Sequence, residues 1–325
     1  MASDNGVPVR GAARIALESP WLSVSLLPAC GGIITSLVDR RSGRDWLWRN
    51  PHIAAESRGM QDDYGQHLDA GGWDEILLSV AADELELPSG ERRGIPDHGD
   101  LVRRQWQRID SADEADRCAL TVVGDDLRYE FSRDVRLSSK APGIEITYSL
   151  ANHDVFAWPW FWCAHALIAI DPDMVIELPD AQPYRVDSAT RKLNPQERIR
   201  RWPALDTSDS GDVNLSAIFC RERGVDPFAG KFFVASPDNG AVKIATADGS
   251  ESLTMRYDAK ELPWLGLWIN NRGWSGGDRA PYFNLGLEPA TAPYDSVSEA
   301  LENAAVPLIE PGETRQWRLQ VEVSS

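Results

Sequence analysis

Three short stretches of the 325-residue chain hold titratable side chains in settings that restrain them. In WPWFWCAHALIAID, residues 158–171, His165 stands within an almost wholly apolar and aromatic run. Burial there disfavours the charged imidazole. The side chain is therefore either a satisfied core histidine or a proton donor projecting from a central strand into a concave sheet surface. In PYFNLGLEPAT, residues 281–291, Glu288 ends an apolar strand directly before Pro289. Proline cannot donate to a ladder, so the strand is expected to stop there and to set the carboxylate where the chain leaves the sheet. Such a glutamate is either exposed or semi-buried with a partner or a proton. In GIPDHGDLVRRQW, residues 94–106, His98 follows Pro96 and Asp97 and precedes Gly99. Proline fixes the approach and glycine allows close packing, so this histidine is held in a turn rather than left mobile. Carboxylates and imidazoles, with reference pKa values of about 4.3 and 6.5, are the groups that acid–base chemistry near neutrality requires.

A fourth stretch, GGWDEI at residues 71–76, carries Asp74 and Glu75 side by side. On a strand, neighbours point to opposite faces, which makes them poor candidates for the two facing carboxylates of a glycosidase. One of the two is expected to bind a ligand hydroxyl. The chain has no HExxH, EF-hand loop or clustered histidine pair, no Walker A or GxGxxG loop and no GxSxG serine, so metal, nucleotide and nucleophilic-serine readings fall away. Cys30, Cys118, Cys163 and Cys220 are far apart and form no CxxC pair. They are expected to be reduced and packed, and no cofactor is implied.

The elements that must position these groups read as strands from end to end. Period-two alternation recurs in LSVSLLP, GIITSLVD, DEILLSV, DLVRRQW, CALTVVG, LRYEFSRDVRL, GIEITYSL, VNLSAIF, KFFVAS, SLTMRY, LGLWIN and WRLQVEV. Turn clusters such as DRRSGRD, SSKAPG, SPDNG and EPGETR separate them. The pattern predicts an all-β chain of stacked antiparallel sheets in one domain spanning residues 1–325, with helix expected only at YDSVSEALENA and near NPQERIR. The polar stretch 185–212 reads as a loop over a ligand-entry face or as a surface excursion.

Charge narrows the partners. The formal net charge of −17 repels phosphate backbones and anionic membranes, which argues against nucleic acid and membrane surfaces. A neutral small molecule meets no such field, and the 13 tryptophans suit a binder of flat apolar faces such as sugar rings, although most are expected in the core. No apolar run of about 18 residues exists and the N-terminus lacks the plan of a signal peptide, so a cytoplasmic location is expected.

Taken in order, PDHG, the histidine after SLANHDVFAWPWFWCA, LGLEPAT and a closing PGETRQW resemble the aldose 1-epimerase (galactose mutarotase) family from about residue 20 to the end. The resemblance implies a large antiparallel β-sandwich of the galactose mutarotase type. It implies Glu288 as general base, His165 as general acid and His98 as a hydrogen-bonding group near the sugar ring oxygen. The implied reaction interconverts the anomers of a free or modified aldose without metal or cofactor, in a monomer or homodimer. Where galactose mutarotases carry an asparagine and an arginine, this chain reads GGWDEI, so Asp74 or Glu75 is expected to take over sugar binding. Their sugar-binding aspartate maps to Asp226 in GVDPFAGKFF, with Lys231 as a rival for facing the cavity. Trp268 and Asn270 in LGLWINN are candidate ring-stacking and hydroxyl-binding positions. Two alternatives follow: a sugar-binding or regulatory protein without turnover, and a hexose-6-phosphate 1-epimerase drawing on Arg58, Arg92, Arg93, Arg103 or Arg104.

Overall fold

Alternation of apolar and polar residues gives each strand one face to bury, and two such faces must meet. In Tyr129–Leu137, and from Trp317 onward in Thr314–Ser324, every second residue is buried, as the sequence predicts. The strands Trp162–Ile168 and Phe228–Ala235 are instead buried nearly throughout, because their second face is also covered. These relations come from a computed structural model, which describes residues 13–56, 59–60, 62–111, 114–179, 182–192, 200–207, 213–219 and 227–325.

Among the described residues a ten-stranded sheet runs in the order Ile15–Glu18, Leu22–Leu27, Ile33–Asp39, Trp73–Leu77, Trp162–Ile168, Phe283–Ala290, Trp264–Asn271, Phe228–Ala235, Pro183–Ala189 and Arg200–Arg201. An eight-stranded sheet, with Thr314–Ser324 and Gly143–Asn152 at its centre, packs against it. All the strand pairings within both sheets are antiparallel. The expected all-β sandwich is therefore what forms. Aromatic residues join the layers: Trp162 of the larger sheet lies 4.9 Å from both Tyr148 and Trp317 of the smaller, measured between ring centres. A buried ion pair crosses the same space, with the Arg133 guanidinium 3.0 Å from Glu75 Oε1 and the Tyr148 hydroxyl donating to the same oxygen at 3.0 Å.

Four local expectations change. Pro289 does not end its strand, which continues to Ala290. The ladder to Trp264–Asn271 passes it unbroken, while the ladder to Trp162–Ile168 skips from Cys163↔Ala290 to Ala166↔Leu287. The missing N–H is thus absorbed by a two-pair gap on one side only. DLVRRQW is not a strand: Leu101–Arg103 is a tight helical turn. The buried Arg103 guanidinium donates to the carbonyls of Asp97, Gly99 and Asp62, and the chain wraps around it. In VNLSAIF only Val213–Asn214 is extended, because the Asn214 side chain accepts from Ser216 N and starts a turn. Within 185–212, Pro183–Ala189 is a strand of the large sheet. NPQERIR falls almost wholly outside the described residues. The helix expected at YDSVSEALENA forms at Val297–Glu302, with Ser296 as its cap.

Candidate active site

One face of the large sheet carries a row of side chains set by register. His165 is the cross-strand partner of Asp74. Counting through Cys163↔Ala290 and Ala166↔Leu287 places Glu288 across from His165 on the other side. Next in the row, Gly266 pairs with Glu288, and Gly286 lies two residues before Glu288 on the same face. These two glycines make room for the carboxylate. A Cβ on Gly286 would stand 2.6 Å from Glu288 Oε1, and one on Gly266 would stand 3.3 Å from Oε2. Glu288 is therefore a mid-strand residue on the floor of a cavity, 1% exposed, rather than a strand-end group.

Lys231, also buried, ion-pairs with Glu288 and lies 3.6 Å from Asp295. It is the cross-strand partner of Trp268 and of Ser188, so three adjoining strands contribute to this side of the cavity. Trp268, Trp274 and Tyr282 form an aromatic wall, each ring edge-on to the next at 5.6 Å and 5.5 Å.

His98 enters from the turn the sequence singled out. His98 and Gly99 both have left-handed backbone angles, φ 62° and 65°, and a Cβ on Gly99 would collide with the Leu77 carbonyl. The His98 backbone N–H donates to Val80 O at 2.7 Å, and Nδ1 sits 2.9 Å from Asp97 Oδ1. Its ring stacks on Tyr64, with centres 3.6 Å apart and planes 4° from parallel, and meets the His165 ring edge-on at 5.1 Å. Tyr64 belongs to the helical turn Tyr64–Leu68, started by the Asp63 side chain accepting from Gln66 N. The Tyr64 hydroxyl reaches back to Asp74 Oδ2 at 3.1 Å and to His165 Nδ1 at 3.4 Å.

Together these groups line a cavity of about 230 Å³. Glu288, His165, His98 and Trp268 all face it, and so does Lys231. Asp74 lies behind it, connected through Tyr64. Glu75 does not reach it: as its neighbour's opposite, it points into the core and is held by Arg133 and Tyr148. Asn270 shapes the turn that presents Trp274, donating to its carbonyl and accepting from its N–H. Asp226 and Arg58 lie outside the described residues. Arg92, Arg93 and Arg104 pair with surface or half-buried carboxylates and Arg103 with backbone carbonyls, so none of these four faces the cavity. Asn284 also lines the cavity, and strand alternation alone places it on one face with Gly286 and Glu288. Tyr64, Asp69 and Asp295 come from loops and turns without periodicity.

Burial dominates the electrostatics. It pushes His165 well below the usual imidazole range, reinforced by His98 and Lys231. It raises Asp74 to about 8 against the opposing hydrogen bond from Tyr64. Asp69 and Asp295 rise to about 6 for the same reason, despite nearby His98 in the first case and Lys231 in the second. Burial alone would depress Lys231, yet Glu288 and Asp295 carry it above its ordinary value. The site thus combines a neutral imidazole, a protonated carboxyl and a firmly charged ammonium near neutral pH.

A family described as Domain of unknown function (DUF4432) matches residues 228–323, which includes the strands bearing Lys231, Trp268 and Glu288. No curated protein matches the sequence. Among solved structures, the chain is similar to the Slr1438 protein from Synechocystis sp. PCC 6803, at 18% identity over 100% of this chain and 99% of that one, with a TM-score of 0.69. It is also similar to a galactose mutarotase-like protein from Clostridium acetobutylicum (13% identity, 98% and 97% covered, TM-score 0.66). A galactose mutarotase related enzyme from Lactobacillus acidophilus compares at 13% identity, 96% and 98% coverage and a TM-score of 0.65. At these identities the likeness is one of fold: the chain is an all-β sandwich of the galactose mutarotase type.

Proposed function

We propose that the protein is an aldose 1-epimerase. The observation that carries this reading is the pairing of His165 with Glu288 across adjacent strands on the cavity floor, with His98 suspended against them. Opening a pyranose needs a base at the anomeric hydroxyl and an acid at the ring oxygen. Glu288 takes the hydroxyl proton as its O–H bond breaks, the C1–O1 bond gains double-bond character, and the C1–O5 bond breaks as O5 receives a proton from His165. Rotation about C1–C2 and the reverse transfers close the ring in either configuration. Each positioned group contributes a rate factor of roughly 10² to 10⁴. His98 holds the ring oxygen, Trp268 stacks on the ring, and Lys231 supplies a positive charge beside the reacting carboxylate.

The lining favours an uncharged aldose. Asp69, Asp97, Glu288 and Asp295 face the cavity against one lysine, and that lysine is already shared by two carboxylates. A sugar 6-phosphate or uronate would bring negative charge into this field without a free cation among the described residues to receive it. The test is anomer exchange by NMR magnetisation transfer over neutral aldoses, uronates, sulfonated sugars and sugar 6-phosphates. Acceleration of one or more neutral aldoses is expected. Acceleration of anionic sugars alone would overturn the substrate class, and binding without acceleration of any sugar would make the protein a sugar receptor.

A further inference from the structure

We propose that Tyr64 and Asp74 form a proton relay that refills His165 from behind, a claim that rests on the epimerase reading of the same cavity. The three groups are continuous: Tyr64 Oη lies 3.1 Å from Asp74 Oδ2 and 3.4 Å from His165 Nδ1. Asp74 and His165 are also direct cross-strand partners. Asp74 is buried, and among the described residues the single hydrogen bond of its carboxyl is with Tyr64. Among the described residues no cation pairs with it: Arg133, whose charge acts on it only through space, is held on the other side of the strand by Glu75. His165 has no hydrogen bond to Nε2 among the described residues, which leaves that nitrogen for the substrate.

The relay resolves a difficulty in the chemistry. An imidazole held neutral has one proton to give, and giving it from Nε2 without replacement would create an imidazolate. In the relay the Tyr64 hydroxyl, which donates to Asp74 when that group is a carboxylate, turns its proton toward Nδ1 when Asp74 is protonated and donates to the hydroxyl. Nε2–H then passes its proton to the ring oxygen while Nδ1 takes the hydroxyl proton of Tyr64, and Tyr64 takes the carboxyl proton of Asp74. One proton has then moved from Asp74 to the sugar, leaving a carboxylate, and Glu288 holds the proton from the anomeric hydroxyl. Ring closure runs every transfer backwards. No oxidant, reductant or co-reactant is involved. Burial supports the starting state, because it keeps Asp74 protonated up to about 8 and His165 neutral. The tyrosine need never ionise as a free species, which its strongly raised pKa would oppose.

The other charged groups around the chain are committed elsewhere. Asp69 and Asp97 act on Tyr64 only through space, and Asp97 is hydrogen-bonded to His98. Lys231 is paired with Glu288, and Glu75 with Arg133. Tyr64 and Asp74 act through His165 and are positioning residues, which sets the choice of test.

Asp74→Asn keeps volume and a hydrogen bond to Tyr64 but has no carboxyl proton to send, and Tyr64→Phe cuts the chain in the middle. Two readouts are made on wild type and both variants. For a responsive aldose, kcat is expected to fall roughly 100-fold in each variant with KM within about threefold. Because Asp74 must carry its proton to act, the wild-type rate is present below pH about 8 and falls above it, and Asp74→Asn lacks that fall. Independently of activity, ¹⁵N spectra of histidine-labelled protein, with His165 assigned from its absence in His165→Asn, should show an Nε2–H tautomer. The Nδ1 shift should titrate near pH 8 in wild type and not in either variant. If wild type accelerates a sugar but Asp74→Asn keeps the alkaline fall and most of the rate, the relay is wrong and the epimerase reading survives. If wild type accelerates no sugar, the epimerase reading falls and the nitrogen titration decides the relay: an Nδ1 shift unaffected by Asp74→Asn overturns it.

Discussion

Removing the Lys231 ammonium breaks a buried ion pair on the cavity floor. Lys231→Met keeps the length of the side chain and deletes its charge, leaving Glu288 and Asp295 facing each other in a buried cavity. The Lys231 and Glu288 side chains are 5% and 1% exposed, so solvent offers the orphaned carboxylate little relief. Breaking a buried pair from one side costs about 3–5 kcal/mol. For a chain of this size, at about 2 °C per kcal/mol, the melting temperature should drop roughly 6–10 °C. The loss should depend on pH in a definite direction. Asp295, already at about 6 with the lysine present, moves higher without it. A carboxyl raised in the folded state favours folding below its unfolded pKa and loses that advantage as pH rises through the folded value. The variant should therefore lose more stability at pH about 8 than at pH about 5. Thermal unfolding at both pH values, on Lys231→Met, Glu288→Gln and the double variant, measures this. The double variant should regain stability over Lys231→Met, because Glu288 no longer adds an unpaired buried carboxylate beside Asp295. A single variant less than about 1 kcal/mol below wild type, or a double variant worse than Lys231→Met, would refute the account of the pair.

Three further outcomes are expected. Gly286→Ala places a methyl 2.6 Å from Glu288 Oε1 and moves the carboxylate, so anomer exchange should slow about 100-fold while the thermal midpoint changes far less than in Lys231→Met. Glu75→Gln strands the buried Arg133 and should cost about 3–5 kcal/mol by denaturant titration while leaving KM unchanged, since Glu75 faces the core. Trp268→Ala removes a stacking surface and should raise KM about 2- to 10-fold with kcat little altered, as steady-state rates would reveal.

Much of the site was legible because strand periodicity is local. His165 and Glu288 announce themselves as polar residues in apolar strands, and the opposed faces of Asp74 and Glu75 follow from their adjacency alone. His98 was readable through Pro96, Asp97 and Gly99, whose preferences dictate a turn. What escaped depends on distant partners. Nothing near Pro289 indicates that the sheet tolerates it through a gap in one ladder. Arg103 bends its neighbours into a turn by bonding Asp62, 41 residues away. Pro183–Ala189 lacks alternation and is a strand because Phe228–Ala235 pairs with it. Tyr64 reaches the site from a connection whose sequence carries no period, so its bridge between Asp74 and His165 exists only in three dimensions.

The central claim is that Glu288 is the base of an anomer-exchange reaction. Its most direct test is magnetisation transfer between the anomers of a responsive neutral aldose, in wild type and in Glu288→Gln. The substitution removes a proton acceptor but almost no volume. The account predicts exchange accelerated by wild type and reduced to the uncatalysed rate by the variant, with the fold retained. Exchange at a near-wild-type rate in Glu288→Gln would contradict it.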